Sequence, residues 1–274
     1  MARAITWLSQ RFYLTIGRLN IDPNMSEKKR ISSIMKTLDL GFSDIYEDQN
    51  VRQLTLKGKL KTMEKAVELV TLEEAMNFSI FTSKGSDHPT AQIYSLDFPS
   101  ALRASIYLLL GGYYRQAILC LRDRLEIRLT GIYFGFVDQD RAQYEDWKNG
   151  KKSPIGKKLI TLLFGRAEFH KFDKKAGLQQ RLKKLYAELS AFVHGAGLNR
   201  YDLQKKTDNV PRFNAESVDL WFEFAQRSFR ELVICYFLAY GTTPFSLQKT
   251  EIKTLFHHLP PSYQEELKSG GVDP

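Results

Sequence analysis

Apolar residues at helical spacing run through most of this chain, and this feature constrains the fold more than any other. Ile118, Leu121, Leu125 and Leu129 follow one another at intervals of three, four and four residues, which places them on one face of an α-helix. A second apolar stripe begins at Leu178 and stops before a glycine at position 195. Alternating patterns typical of strands are scarce. The sequence therefore predicts an all-α protein.

Helix breakers divide the chain into three segments. The strongest helical stripes fall between residues 98 and 242, and an antiparallel helical bundle is the natural packing for several long amphipathic helices joined by loops. Residues 1–97 carry weaker patterns and are expected to form an additional N-terminal, mainly helical module. Residues 243–274 are expected to form a C-terminal helical tail.

Local patterns add three predictions within the N-terminal module. Residues 51–57, Val-Arg-Gln-Leu-Thr-Leu-Lys, are a candidate short strand. Thr71 followed three residues later by Glu74 predicts the start of a helix, because this spacing allows a capping box. The polar stretch 83–90 is typical of a loop and marks a candidate boundary.

The composition argues against several classes of site. The chain has two cysteines, Cys120 and Cys235, too few for a disulfide framework or a four-thiolate zinc site. The histidines lack cysteine or carboxylate partners at ligand spacing, and no phosphate-binding loop, dinucleotide glycine motif or nucleophile elbow is present. We expect no metal and no cofactor.

Positive charge is concentrated between residues 148 and 184. This basic segment has twelve basic and two acidic residues, a surplus of ten, whereas the whole chain has a net charge of +9. The residues predicted to contact nucleic acid are Lys148, Lys151, Lys152, Lys157, Lys158, Lys174, Lys175, Arg181, Lys183 and Lys184. A local field of this kind attracts polyanions through phosphate neutralisation and counterion release. Lysine-rich helices can equally present a solvated face, and both interpretations stay open.

No stretch of the sequence has the character of a membrane span. The uncharged run 232–248 is interrupted by Gly241 and Pro244, and it falls short of the about 20 residues that a span requires. The N-terminus lacks the cleavage pattern of an export signal. We expect a soluble, cytoplasmic protein with no membrane partner.

Polar residues on otherwise apolar helices mark a candidate site. Arg115, Arg122 and Glu126 share one face of the central helix, and the last two are spaced for an i, i+4 ion pair. On the later helix, Tyr186 and two further polar residues four and eight positions on also share one face. We expect the two faces to meet.

The two further residues are Ser190 and His194, and they complete the candidate site. His194 lies at a predicted helix C-terminus, where the negative end of the helix dipole favours imidazolium and should raise the histidine pKa. A cleft between the faces could bind phosphate through arginine and transfer protons through histidine. The same side chains could instead form a satisfied polar network that fixes helix register.

Three blocks of sequence together resemble the HEPN-like helical domains of bacteria and archaea. The blocks are Tyr113–Glu126, Trp147–Gly150 and Leu185–Gly195, and the resemblance covers about residues 98–242. It implies a four- or five-helix bundle, commonly dimeric. Many members of the family are metal-independent ribonucleases in toxin–antitoxin, phage-defence and CRISPR-related settings.

The resemblance also implies roles for individual residues. The family's motif histidine matches His194 and its polar residue matches Ser190, whereas the positions of the motif arginine, residues 187–189, are Ala-Glu-Leu. Arg122 or Arg115 from the facing helix could replace that arginine. Two functions stay open. One is a non-catalytic or divergent module of a bacterial defence or RNA-directed system. It binds RNA, more readily than DNA, or an acidic protein, as a homodimer or within a larger complex. The other is a metal-independent endoribonuclease using His194.

Overall fold

The structure is a computed structural model in which every regular element is a helix. It describes residues 26–38, 49–96, 101–137, 141–151, 156–194, 213–241 and 249–269. No strand occurs in these ranges, so the prediction of an all-α fold is confirmed.

The N-terminal region contains four helices. They are α1 (Glu27–Leu38), α2 (Gln49–Gly58), α3 (Leu60–Lys84) and α4 (Pro89–Leu96). The predicted strand at 51–57 is wrong, since these residues belong to α2, where the Thr55 hydroxyl donates to the Val51 carbonyl at 2.9 Å. The predicted helix start at Thr71 is also wrong, because Thr71 lies inside α3 and its hydroxyl donates to the carbonyl of Val67 at 3.1 Å.

The remaining helices include the two predicted apolar stripes, one at 118–129 and one that begins at Leu178. They are α5 (Ala101–Leu110), α6 (Tyr114–Ile132) with a π-helical extension (Tyr133–Val137), α7 (Ala142–Lys148), α8 (Gly156–Leu163), α9 (Ala167–Ala176), α10 (Leu178–His194), α11 (Ala215–Tyr240), α12 (Lys249–His257) and α13 (Pro261–Ser269). The pair Gly111-Gly112 forms the turn between α5 and α6. At the start of α11, Asn214 caps the helix by accepting a hydrogen bond from the backbone N–H of Ser217 at 2.9 Å.

Helix α6 lies at the centre of the molecule, packed against α4, α5, α8, α10 and α11. Its apolar stripe of Leu121, Leu125 and Leu129 is buried. Helices α6 and α11 run in the same direction, as two contacts between them show. The Tyr114 hydroxyl at the start of α6 accepts a hydrogen bond from the N–H of Asn214 at 2.7 Å. Ten residues further along α6, Arg124 donates to the hydroxyl of Ser228.

A buried ionic network, which consists of Glu73, Arg124 and Arg128, joins α3 to α6. Arg124 Nε lies 2.6 Å from one carboxylate oxygen of Glu73, and Arg128 Nε lies 3.0 Å from the other. The side chains are at most 5% exposed. Because α3 also contributes apolar residues to the same hydrophobic core as the bundle, the N-terminal helices form an integral layer of the packing.

The predicted segment boundaries fall in residues 97–100 and 242–248, which lie outside the described ranges, so the division into three segments stays a prediction. Among the described residues, no helix combines the length and the apolar character needed to cross a membrane.

Candidate functional site

The predicted site lies where α6 and α10 pack side by side. Arg122 Nη2 on α6 donates to the hydroxyl of Tyr186 on α10 at 2.8 Å, and Arg115 Nε donates to the carbonyl oxygen of Phe192 at 2.9 Å. Residue numbers rise along α6 as they fall along α10, so the two helices are antiparallel. The structure therefore brings together the polar faces that the sequence singles out on each helix.

Arg122, Glu126 and Tyr186 form what we name the interhelical cluster. Glu126 Oε2 lies 3.0 Å from Arg122 Nη2 and 3.5 Å from the Tyr186 hydroxyl, which donates to it. Partial burial opposes the charge of Arg122, but the hydrogen bond to Tyr186 and the nearby Glu126 carboxylate together raise the pKa of Arg122. Arg122 therefore remains cationic. It can stabilise negative charge, but it cannot act as a base.

Two polar atoms in this region have no hydrogen-bond partner among the described residues. They are Nε of Arg122 and the hydroxyl oxygen of Ser190, and both are buried. Burying a polar group without a partner costs free energy. These atoms therefore retain hydrogen-bonding capacity that the described side chains leave unused.

Arg115 has a structural contact instead. It donates to the Phe192 carbonyl in the last turn of α10, where helix carbonyls lack partners within the helix. Arg115 thereby caps α10. The helix ends at His194, but the side chain of His194 lies outside the described part of the structure, so its predicted contacts and raised pKa stay predictions.

Gly156 allows α8 to approach the interhelical cluster closely. A Cβ at this position would lie 2.8 Å from the Tyr186 hydroxyl oxygen, and the backbone φ of +58° also favours glycine. Lys157 and Lys158 follow directly and are exposed. The fold therefore places two exposed cations at the end of α8 that contacts Tyr186.

The basic segment runs from the last residue of α7 through α8 and α9 into the first half of α10. Its exposed basic side chains are Lys148, Lys151, Lys157, Lys158, Lys171, Lys174, Lys175 and Lys184. Arg166, Arg181 and Lys183 are partly buried, and Lys152 lies outside the described residues. Most of the predicted nucleic-acid contacts are thus open to solvent.

Some of these cations are committed to ion pairs within the protein. Arg181 Nε lies 2.8 Å from the carboxylate of Glu231 on α11, and its guanidinium stacks 4.4 Å from the ring centre of Tyr263. Lys175 Nζ lies 3.2 Å from a carboxylate oxygen of Glu266 on α13. These contacts hold α9 and α10 against α11 and α13. The positive charges of Arg181 and Lys175 are therefore largely balanced.

Other lysines of the segment make no ion pair with any described residue. We name these the unpaired lysines: Lys148, Lys157, Lys158, Lys171, Lys174 and Lys183. A phosphate could approach them without breaking an existing pair. Lys151 and Lys184 have only exposed or distant partners, at 3.3 Å and 4.0 Å.

Neither the comparison with known proteins nor the arrangement of metal-ligating side chains assigns a function to the chain. No protein-family model, curated protein or solved structure matches the chain. In the part of the chain that the structure describes, no group of three or more His, Cys, Asp or Glu side chains is arranged to hold a metal ion. The resemblance to HEPN-like domains therefore stays a prediction.

Sequence reasoning missed the buried ionic network. Its arginines, Arg124 and Arg128, each precede a leucine of the α6 stripe, and that position next to an apolar face was a usable signal. Nothing local in the sequence identifies Glu73 as their partner, because the pairing spans more than fifty residues.

Proposed function

We propose that this chain binds RNA through the unpaired lysines of α8 and α9. The observation that supports the proposal is that these exposed cations have no carboxylate partner among the described residues. Phosphate contacts of this kind give affinity without sequence readout. The preference for RNA over DNA, a homodimeric state and a setting in bacterial defence come from the HEPN-like resemblance.

The proposal predicts a strong dependence of affinity on salt. If Lys157, Lys158, Lys171 and Lys174 each neutralise one phosphate of a single-stranded RNA, the plot of log affinity against log salt has a slope of about −3. Changing these four lysines to glutamine should make the slope much shallower and weaken binding at low salt. Fluorescence anisotropy with a labelled RNA across a salt series measures both quantities.

A charge-matched control separates a specific surface from net charge. Lys28, Lys29, Lys61 and Lys65 on α1 and α3 are also exposed, and their change to glutamine lowers the net charge by the same amount. The control variant should bind RNA nearly as tightly as the unmodified chain. Equal loss in both variants, or no binding of any nucleic acid at moderate salt, would contradict the proposal, and the latter would favour an acidic protein partner.

A metal-independent endoribonuclease is the second candidate, favoured by the unsatisfied Arg122 Nε and Ser190 hydroxyl. In such a reaction the RNA 2′-hydroxyl oxygen attacks the adjacent phosphorus and the 5′-oxygen leaves. His194 would transfer protons, and Arg122 would stabilise the charge on the phosphoryl oxygens. Incubation of labelled RNA in EDTA tests this, with His194→Ala and Arg122→Gln beside the unmodified chain. Cleavage that survives both changes would exclude these roles.

A further inference from the structure

Helix α13, near the end of the chain, lies against the basic segment. Lys175 Nζ at the end of α9 lies 3.2 Å from a carboxylate oxygen of Glu266, and the guanidinium carbon of Arg181 lies 4.4 Å from the ring centre of Tyr263. Leu267 of the same helix is buried in the hydrophobic core, which anchors α13 at this position. One helix therefore occupies two of the cations that the sequence predicts to contact nucleic acid.

Lys175 lies on the same exposed side of α9 as two of the unpaired lysines. It follows Lys171 by four residues and Lys174 by one, and all three side chains are exposed. Residues four apart are neighbours on one face of a helix. The Lys175 side chain is 60% exposed despite its ion pair, so a phosphate can approach it from solvent. Released from Glu266, Lys175 would extend the row of cations that we propose to contact RNA.

The other acidic side chains near this end of the segment have different positions or partners. Asp173 accepts a hydrogen bond from a backbone N–H in the first turn of α10 at 2.7 Å. Glu168 lies 3.9 Å from the arginine that precedes α9. Glu265, next to Glu266 on α13, is exposed and makes no ion pair with a described residue. Among the described residues, Glu266 is thus the carboxylate that pairs with Lys175.

Arg181 differs from Lys175 because a second helix also balances its charge. Its Nε lies 2.8 Å from the carboxylate of Glu231 on α11, and the Arg181 side chain is 27% exposed. Loss of the contact with Tyr263 on α13 would leave this ion pair in place. The effect of α13 on the charge available to RNA therefore depends on Lys175.

We infer that α13 restrains RNA binding, because Glu266 holds Lys175 in an ion pair that an RNA phosphate must first displace. The inference rests on the proposed function and states how that surface is regulated. A carboxylate and a phosphate are both anions, so they compete for the same ammonium group. Ion pairs at exposed positions are weak, so the competition is reversible and the restraint is partial. Helix α13 is thus an autoinhibitory element of the RNA surface.

Glu266→Gln tests the restraint in the full chain, because it keeps the side-chain volume and removes the charge that pairs with Lys175. RNA binding should become about threefold to fivefold tighter at low salt, and the plot of log affinity against log salt should steepen by about 0.7 for the added phosphate contact. The matched control is Glu265→Gln, which removes the same charge one residue away. It should leave the slope unchanged. Fluorescence anisotropy with one labelled RNA measures all variants.

Lys175→Gln identifies the cation through which α13 acts. In that background, Glu266→Gln should no longer tighten RNA binding or steepen the salt dependence. A gain that persists without Lys175, or an equal response to Glu265→Gln and Glu266→Gln, overturns the role of α13 and leaves the RNA-binding proposal intact. If neither the unmodified chain nor any variant binds RNA, the proposed function fails and the inference fails with it.

Discussion

The buried ionic network gives the sharpest test of how this fold is held together. Glu73 is the carboxylate shared by Arg124 and Arg128, at 2.6 Å and 3.0 Å. Changing Glu73 to glutamine keeps the volume of the side chain but removes its charge. The two guanidinium groups then remain cationic, because arginine does not lose its proton in proteins, and they have no counter-charge at their former partner.

The size of the effect follows from burial. The side chains of both arginines are only 1% exposed, so water cannot solvate the uncompensated charge. Removing one partner from a buried ion pair typically costs about 3–5 kcal/mol. At about 2–4 °C per kcal/mol, this corresponds to a fall in Tm of roughly 6–20 °C. The remaining hydrogen bonds, from Arg124 to Ser228 and from Arg128 to Asn77, do not replace the lost charge.

Urea unfolding followed by circular dichroism measures the change in unfolding free energy directly. The control is Glu64→Gln, which breaks the ion pair to Arg30, whose side chains are 22% and 19% exposed, and which should cost no more than about 1 kcal/mol. If Glu73→Gln cost no more than Glu64→Gln, water or another counter-charge would have to reach the buried arginines, and the reasoning would be refuted.

Three further predictions concern other buried groups. Burial lowers the pKa of His88 below the ordinary 6.5, so the unfolded chain binds a proton at a higher pH than the folded chain does. The unfolding free energy should therefore fall as pH drops from about 6.5. His88→Gln should flatten this dependence, and an unchanged pH profile would contradict the assignment. Gly135→Ala places a methyl group against the fully buried Thr90 and should cost about 1–3 kcal/mol in urea unfolding, whereas a cost near zero would mean that the π-helical segment can shift. Cys235 is completely buried, and burial raises the pKa of its thiol, so peptide mapping should find it unmodified by a thiol reagent until the chain is unfolded in urea.

The sequence predicts the long helices well because one physical rule dominates them. Leu121, Leu125 and Leu129 lie on one face and are all buried in α6. The expectation that the polar faces of α6 and α10 meet is confirmed by the hydrogen bond from Arg122 to Tyr186. The prediction fails where a short window supports two structures. In α2, Val51 and Leu56 are buried while Leu54 is 52% exposed. A strand would place Leu54 and Leu56 on the same face, but the seven residues 51–57 alone do not show which of the two leucines is buried.

Distant partners account for most of what could not be predicted. Thr71 and Glu74 have the spacing of a capping box, yet α3 continues through them because Thr71 bonds within the helix and Glu74 pairs with Arg103 in the core. Likewise, the faces of α6 and α10 are readable from sequence, but the choice of Arg115 to bond the Phe192 carbonyl depends on the axial register of the packed helices. Such choices become visible only when the tertiary arrangement is known.

The two proposed functions differ in whether their cations must first give up contacts within the protein. Arg122 Nη2 contacts Tyr186 and Glu126, and Nη1 donates to Asp123. Either terminal nitrogen must therefore give up a contact to reach a phosphate, and hydrogen bonds to charged groups are worth about 1.5–3 kcal/mol each. The unpaired lysines lose no such contact, so a polyanion meets them at lower cost. Loss of Arg122 should therefore act mainly on the packing of α6 against α10, and loss of the lysines mainly on affinity. The ribonuclease hypothesis instead requires that loss of Arg122 reduce RNA cleavage more than loss of the lysines does. The reason is that a phosphate held only by flexible surface cations is not positioned for attack by the neighbouring hydroxyl.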